Sequence, residues 1–456
     1  MTPTFDLKAP ASLARRHLLL GAAAAAALSA CGGGGGDDDG QGFRGAVYAG
    51  TNRTMGNSVA AFGRSPDGTL VGIGDYATGG NGGSFDGTND GLDPLISEDT
   101  IVGVDDRFLL VVNAGSNTLT SMRINADFSL SVVGSVPSGG FGPNSIAYRS
   151  GLVYVANTDS DGAFTGPPDH KGNITGFRFD TTSGSLTAIA NSTRELENRP
   201  SDLEFSPGGG HLIVSSVNSG SVALAAGNNA ELVVYGVQAD GRLTTAATSS
   251  VTSTARGNGA GRNLPTAIGF EAVMVGTRTF IIVSEAREFL STGAPGMLPM
   301  FQTASVSTWE LNANGTLTPR SQDVLTGPVI TTGPSAPTSA CWLAVAPDRT
   351  TFWVAHASGA VISSFRLNAD GTIALLDGRA AVGMPAVVGP TPLATADGLV
   401  DITVSSDGQF VYQLLGLLGA VTVYRVGANG ALTMTQRTTG LLPMTGLGGL
   451  VSVDRI

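Results

Sequence analysis

The sequence predicts an all-β fold, a seven-bladed β-propeller with four-stranded blades, from three observations. One hairpin unit recurs seven times along the chain. Successive units lie 56 to 74 residues apart, which suits a four-stranded blade. The first unit lacks its first strand, and a spare strand lies at the C-terminus. A ring closed by that C-terminal strand would have no open sheet edge.

The repeated unit is an alternating strand that ends in an aromatic or apolar residue, followed by a turn of Asp-Gly or Asn-Gly type and then Leu or Ile. Such turns need positive φ and are a strong hairpin signal. The seven strand ends and their turns are 59–62 with 66–70, 119–122 with 126–130, 174–177 with 182–186, 232–235 with 239–243, 306–309 with 313–317, 362–365 with 369–373 and 421–424 with 428–432. Phe128 takes the place of the usual glycine, so we expect the second turn to differ.

Two further strands precede each hairpin. In the sixth unit they are predicted at 341–346 and 351–355, and in the seventh at 401–404 and 410–414. The first unit begins directly with its second strand, at 46–50. We therefore predict that the C-terminal strand, Leu450–Asp454, supplies the missing first strand of blade 1.

The connections divide between two faces of the predicted ring. First-to-second and third-to-fourth strand turns are mostly short, and we call their side the tight-turn face. The other connections lie on the long-loop face, and the long ones are 74–94, 157–173, 217–231, 248–265, 287–304, 323–340 and 380–400. Long loops on a rigid scaffold are the usual place for binding residues.

The first 30 residues have the pattern of an export signal. Arg15 and Arg16 precede an apolar run at 18–30, whose 13 residues fall short of the about 20 that span a bilayer. The sequence LSAC at 28–31 resembles the lipobox of bacterial lipoproteins, in which the cysteine, here Cys31, is lipidated. A plain secretory signal with a chance cysteine is the alternative, and the twin-arginine and general secretion routes both stay open.

These features predict three parts: a lipoprotein signal peptide at 1–30, a Gly/Asp-rich tether at 31–43 and the propeller at 44–456. Gly32, rather than aspartate, follows the cysteine. By resemblance to sorting rules in diderm bacteria, this favours the outer membrane. We therefore expect an exported protein that is lipid-anchored in the cell envelope, on the periplasmic side of the outer membrane or at the cell surface.

The charge of the exported part limits its partners. Removing 1–30 leaves 22 of the 25 basic and 35 of the 36 acidic residues, a formal charge of −13. An acidic domain with one lysine is a poor nucleic-acid binder, so we expect no nucleic-acid partner. Cys341, the other cysteine, lies in an apolar strand and is expected to be buried. With three histidines in the exported part we expect no metal or other cofactor, and we expect a monomer.

Four further motifs lie in the repeats: VVNAGSN at 111–117, IVSEA at 282–286, VSTWEL at 306–311 and ACWLAV at 340–345. With these motifs, residues 44–456 resemble the lactonase-type seven-bladed propellers, the family of 6-phosphogluconolactonase and 3-carboxymuconate cyclase, and most closely their secreted bacterial lipoprotein branch. The resemblance implies the fold, and it implies an activity on a lactone or a related small carboxylate.

In that family, catalysis is attributed to a few His, Arg and Glu side chains above the channel. Opening a lactone needs a base that activates water and a donor that stabilises the oxyanion. Glu285 matches the family's glutamate by its place at the end of a second strand. Elsewhere the chain departs from the family pattern. Ser201 occupies a position where the family has histidine, and Thr266 and Ala267 occupy the positions of an Arg-His pair. His356 occupies the position of the aspartate in an Asp-Arg pair.

From these positions we predict Glu285 and His356 as catalytic residues, because both end a second strand in neighbouring blades and should look toward the long-loop face. The predicted substrate-binding residues are the cationic or ring side chains Arg287, Arg199, Arg262 and His170. Each has a plainer interpretation. Glu285 and Arg287 would also form a structural ion pair, and the other charges would also make a solvated rim.

Two functions remain open on the sequence. The chain is either a lactonase-type hydrolase or isomerase that acts on a lactone or related carboxylate, or a non-catalytic propeller that binds a ligand or a partner protein. The family resemblance and Glu285 favour the first. The missing His and Arg residues favour the second, because blade motifs specify a fold better than an activity.

Overall fold

The computed structural model describes residues 42–84, 94–159, 171–217, 231–252, 265–289, 300–301, 303–328, 339–357, 359–383 and 397–454. This part of the chain is built from antiparallel β-sheets, with one short 3₁₀ turn at Ala428–Gly430. No helix among the described residues is long and apolar enough to cross a membrane. The predicted signal peptide and the tether up to residue 41 lie outside the described residues.

Seven sheets form the blades, each with four strands in simple up-and-down order. From the inner to the outer edge, blades 1 to 4 contain Leu450–Asp454, Gly45–Gly50, Ser58–Arg64 and Leu70–Ala77; Ile101–Val104, Phe108–Asn113, Thr118–Ile124 and Leu130–Pro137; Phe141–Arg149, Leu152–Asp159, Asn173–Phe179 and Leu186–Ala188; and Arg199–Phe205, His211–Val217, Glu231–Gly236 and Ser249–Thr252.

Blades 5 to 7 follow the same order: Thr266–Val275, Arg278–Ala286, Ser305–Leu311 and Leu317–Leu325; Ala340–Val345, Thr351–His356, Val361–Leu367 and Ile373–Val382; and Leu399–Val404, Phe410–Leu415, Ala420–Val426 and Leu432–Thr439. Two short additions complete the structure. Arg194–Glu195 pairs with the third strand of blade 3, and Glu288–Phe289 pairs with Met300–Phe301 in a small separate sheet.

Ring closure occurs as the sequence predicts. Leu450–Asp454 pairs antiparallel with Gly45–Gly50, in a register that sets Leu450 opposite Ala49 and Asp454 opposite Gly45. Each inner strand packs against the inner strands of both neighbouring blades, all the way around the ring. The second and third strands are almost wholly buried, whereas the fourth is mostly exposed and forms the outer rim.

Five of the seven hairpin turns share one backbone pattern, and the second turn is among them, which corrects the expectation for it. Phe128 has φ +62°, in the same left-handed region as Gly68 with φ +88°. Its N–H donates to Asn125 O at 3.0 Å, as the Gly68 N–H donates to Ser65 O at 2.9 Å. The left-handed backbone disfavours a side chain, and the buried Phe128 ring offsets that cost by packing edge-on against Phe43. Tertiary packing therefore overrides the glycine preference.

A repeated contact between blades explains why these turns recur. The backbone carbonyl at the left-handed position of a turn accepts a hydrogen bond from the preceding blade. Tyr48 Oη donates to Phe128 O at 3.0 Å, and Trp353 Nε1 donates to Gly430 O at 2.8 Å. The same bond is made by Tyr154 to Gly241, Ser249 to Gly315 and Thr308 to Gly371. These five turns therefore connect one blade to the next as well as reversing the chain.

Candidate functional site

The central channel is lined by the seven inner strands, and five of these are irregular near their first residues. The pairing with the second strand skips a residue or two in blades 3 to 7, at Asn144, Ser201, 268–269, Cys341 and 400–401. Such bulges break the alternation of a strand and re-aim side chains. Because inner strands begin at the long-loop face, the bulges form one layer at that mouth of the channel.

A segment of the chain's own backbone fills this mouth. Residues 95–100, which we call the plug, lie between blades 1 and 2 in sequence but cross to the opposite side of the ring. The Arg199 guanidinium of blade 4 donates to Leu95 O at 2.7 Å. Trp342 Nε1 of blade 6 donates to Ser97 O at 2.9 Å. The plug is therefore held by blades far from it in sequence.

Glu98 is a buried side chain of the plug that contacts blades 4, 5 and 6. Its Oε1 accepts the Leu343 N–H of blade 6 at 3.0 Å, while its own N–H donates to Ser201 O of blade 4 at 3.2 Å. Gly269 of blade 5 lies so close that a Cβ there would overlap the Glu98 carboxyl group. Glycine at 269 is what leaves room for this carboxyl group.

The end of the plug joins it to blades 2 and 3. Asp99 O accepts the Ile146 N–H of blade 3 at 3.0 Å, and Thr100 O accepts the Val112 N–H of blade 2 at 3.1 Å. Ile96 and Asp99 adopt left-handed backbone conformations, with φ +46° and +58°. Non-glycine residues keep such conformations only where the surroundings hold them. The plug is therefore held in place as an integral part of the channel structure.

Below the plug the channel carries a group of carboxyl side chains. Asp202 and Glu204 come from blade 4, Glu271 from blade 5 and Asp401 from blade 7. Several accept an N–H from the exposed edge of the next inner strand: Phe270 N to Asp202 at 3.1 Å, Ala272 N to Glu204 at 2.6 Å and Leu450 N to Asp401 at 2.7 Å. They satisfy the edge donors that a propeller leaves at its centre.

Burial disfavours the charged form of these acids. It raises the pKa of Asp202 to about 7. Burial, with the nearby Asp202 and Asp401, raises the pKa of Glu271 to about 8. The Glu98 pKa lies well above its ordinary value, chiefly through burial and then through Asp202 and Asp401. Among the described residues, no group of three or more His, Cys, Asp or Glu side chains could hold a metal ion. We assign Asp202, Glu204 and Asp401, which accept these backbone N–H groups, a structural role in the channel.

The structure brings together two of the predicted site residues, Glu285 and Arg287. Arg287 is fully buried and lies between two carboxylates, with its Nη2 3.3 Å from Glu285 Oε2 and 2.8 Å from Asp323 Oδ1. Ser305 Oγ donates to Glu285 Oε2 at 2.6 Å and accepts from Arg287 Nε at 2.9 Å. The group ties three strands of blade 5 together, which matches the structural ion pair that the sequence left open.

His356 lies in the next blade, at the end of its second strand, and is fully buried. Its Nε2 is 3.0 Å from Ser363 Oγ. The Ser363 hydroxyl faces the carbonyl oxygens of Thr326 and Gly378 at 3.2 and 3.1 Å. The Ser363 hydroxyl therefore connects the His356 ring to the backbone of the two segments that carry these carbonyls.

The remaining site predictions divide into two groups. Arg199 is buried and holds the plug, as its bond to Leu95 shows. Arg262 and His170 lie outside the described residues, as does the predicted lipidation residue Cys31. Sequence reasoning missed the plug. The signal present was the apolar pair Leu95 and Ile96, which follows the long loop 74–94 and is separated by Ser97 from two acids, because apolar residues in a connection need a place to be buried.

Comparison with solved structures places this architecture among known folds. The periplasmic gluconolactonase of Pseudomonas aeruginosa superposes with a TM-score of 0.53 at 18% identity, over 73% of this chain and 83% of that one. A protein from Bacteroides uniformis, described as a candidate 6-phosphogluconolactonase, gives 0.52 at 15% identity, over 74% and 84%. A hypothetical selenium-binding protein from Sulfolobus tokodaii gives 0.54 at 12% identity, over 90% and 91%.

No protein-family model matches the chain, and no curated protein matches it in sequence. At identities below one in five, the structural likeness carries the fold and no residue role. The closed ring of seven blades and the two lactonase-like structural neighbours agree with the family resemblance seen in the sequence. The chain therefore has the fold of the 6-phosphogluconolactonase-like seven-bladed β-propellers.

Proposed function

We propose that the chain is a non-catalytic propeller that binds a small ligand or a partner protein at the cell envelope. The observation that carries the proposal is the plug: residues 95–100 fill the long-loop mouth of the channel with hydrogen-bonded backbone. A substrate cannot reach the bulged inner strands at that mouth while the plug is in place. Binding to an outer surface needs no such access.

The state of the predicted catalytic residues supports the same conclusion. A general base must come within hydrogen-bond reach of the reacting group. Glu285 is 1% exposed and already accepts from Ser305 and Arg287. His356 is buried and bonded to Ser363. The alternative, a lactone hydrolase or isomerase, is favoured by the structural likeness to the Pseudomonas gluconolactonase and by Glu285 itself.

A lactone assay separates the two functions. Purified protein is incubated with a panel of sugar and aliphatic lactones, beside Glu285→Gln and His356→Gln variants whose folding is checked by circular dichroism. We expect no turnover above the uncatalysed rate in any sample. Turnover by the wild type that disappears in folded Glu285→Gln would establish the hydrolase instead, with Glu285 as its catalytic residue.

We also propose that the protein is exported and lipid-anchored through Cys31, on the strength of the signal pattern at 1–30 and the LSAC sequence. A single lipid chain holds a protein only marginally, so a stable anchor implies more than one chain at the cysteine. The glycine-rich tether at 31–43 would then let the propeller extend away from the bilayer.

Fractionation tests the anchor. Cys31→Ser should move the protein from membranes to a soluble fraction and abolish incorporation of labelled fatty acid, because the acylated thiol is gone. Cys341→Ser is the matched control, since it removes the other cysteine, a buried one, and should leave the protein in membranes. A soluble wild-type protein without added lipid mass would exclude the anchor.

A further inference from the structure

The opposite mouth of the channel, on the tight-turn face, contains a cavity of about 550 Å³. Its walls are the last residues of the inner strands of blades 3 to 6 and the turns that follow. Ligand sites in proteins have volumes of roughly 300–1,000 Å³ and combine apolar walls with a few polar groups. This cavity has that composition, with Val273, Met274, Val345 and Pro347 beside three ionisable side chains.

Two of the ionisable side chains are arginines, Arg149 of blade 3 and Arg349 of blade 6. Neither makes an ion pair with a carboxylate in the described part of the chain. Arg64, Arg278 and Arg437, by contrast, each have a carboxylate partner at 3.0 Å or less. Two guanidinium groups without carboxylate partners on one cavity are suited to bind carboxylates, which their paired N–H donors match in geometry.

The position of Arg149 is set by its surroundings. Gly209, in the tight turn of blade 4, has φ +73°, and a Cβ at this residue would lie 2.6 Å from Arg149 Nε. The absence of a side chain at 209 therefore leaves room for the guanidinium group across the turn. Arg349 comes from the corresponding turn of blade 6, two blades farther round the ring. The two cations thus flank the cavity from different sides.

The third ionisable group, Glu271, lies at the inner end of the cavity, where it meets the channel carboxyl groups. Because the pKa of Glu271 is raised to about 8, its carboxyl group is mostly neutral at pH 7. A neutral acid does not compensate the two guanidinium charges, and its O–H can donate a hydrogen bond to an anion. The cavity therefore offers two cations and one further donor around an apolar wall.

We propose that this cavity binds a small organic dicarboxylate, with one carboxylate at Arg149, the other at Arg349 and the apolar body of the ligand against Met274 and Val345. The inference rests on the proposed binding function and gives it a ligand class. It also places the site on the face away from the plug, where the channel is open to a ligand.

Calorimetry on the folded propeller tests the site with a series of probes: succinate, glutarate, adipate and suberate, beside the monocarboxylate hexanoate and the diamine cadaverine. We expect one or two of the dicarboxylates to bind best, and hexanoate and cadaverine to bind at least about tenfold more weakly, since each lacks one or both anionic groups. Equal binding of cadaverine, or no binding of any dicarboxylate, would overturn the proposal.

Three variants localise the binding. Arg149→Gln and Arg349→Gln should each weaken the best dicarboxylate by about tenfold or more, because a hydrogen-bonded charge is lost. Arg107→Gln is the matched control: it is exposed in the tight turn of blade 2, outside the cavity, and should bind like the wild type. Unchanged affinity in both cavity variants would exclude the site. Lactone turnover would instead refute only the non-catalytic function, because the calorimetric result does not depend on it.

Discussion

Two buried arginines, Arg64 and Arg287, lie against carboxylates that come from other strands. Arg287 lies between Glu285 and Asp323 inside blade 5, and Arg64 of blade 1 contacts Asp454 at 2.6 Å at the ring closure. A buried charge is stable only with partners that replace the lost water. The Glu285 carboxylate, which the sequence predicts to be catalytic, contacts Arg287 and Ser305 and so connects strands of blade 5.

Loss of the Arg287 charge should be costly. In Arg287→Met two buried carboxylates, Glu285 and Asp323, lose their cation, so we expect the free energy of unfolding to fall by about 3–5 kcal/mol in urea denaturation. Arg320→Met is the control, because Arg320 pairs with Glu310 at the surface and such pairs contribute about 1 kcal/mol or less. Equal losses in the two variants would contradict the structural role of Arg287.

The inner strands differ from the other strands because they have one unpaired edge that faces the channel. Their N–H groups are satisfied by acids of the neighbouring blade, as in the bond from Phe270 N to Asp202, and by the plug, as in the bond from Leu343 N to Glu98. This places acids where burial favours their neutral form, and it makes the inner layer sensitive to pH.

Stability should therefore decrease as the pH rises through the neutral range. The ordinary pKa values of Asp202 and Glu271 are 3.8 and 4.5, and in the fold they rise to about 7 and about 8. Between these limits the folded chain holds protons that the unfolded chain has released, so the free energy of unfolding falls with pH, by at most about 1.4 kcal/mol per pH unit for each group. Thermal unfolding at pH 5 and pH 8 should give the higher Tm at pH 5.

Two variants test whether Glu271 contributes to this decrease in stability with pH. Glu271→Gln cannot titrate and should flatten the decrease between pH 5 and pH 8. Glu310→Gln should leave it unchanged, because the arginines Arg278 and Arg320 hold the Glu310 pKa at about 2 and that group stays charged throughout the range. A Tm that rises toward pH 8, or a Glu271→Gln profile identical to that of the wild type, would refute the assignment.

The ring as a whole depends on contacts between the two ends of the described chain. Leu450–Asp454 is the inner strand of blade 1, and Asp454 joins Arg64 in blade 1 to Ser406 in the first turn of blade 7. Five junctions between neighbouring blades are also held by a hydrogen bond to a hairpin turn. The propeller should therefore unfold as one unit.

Removal of the closing strand tests this cooperativity. Deleting 446–456 exposes the edge of Gly45–Gly50 and leaves the buried Arg64 without its Asp454 partner. We expect a lower Tm in a single transition that involves all blades, measured by circular dichroism and by hydrogen exchange in blade 4, far from the cut. Unchanged unfolding, or exchange that increases only in blade 1, would count against closure as the element that stabilises the ring.

The sequence by itself determined the number of blades, the place of each hairpin and the closing strand, because these depend on local patterns: strand alternation, turn residues and repeat length. It also located Glu285 and His356 at the ends of second strands. Only the tertiary structure decided what those side chains contact. The plug is the clearest case, because Glu98 contacts Leu343, which is 245 residues away in the sequence, and a local sequence pattern cannot predict such a contact. Burial and partners depend on how the seven blades pack together: Phe128 adopts a glycine's conformation, Arg199 holds the plug, and burial raises the pKa values of Asp202 and Glu271.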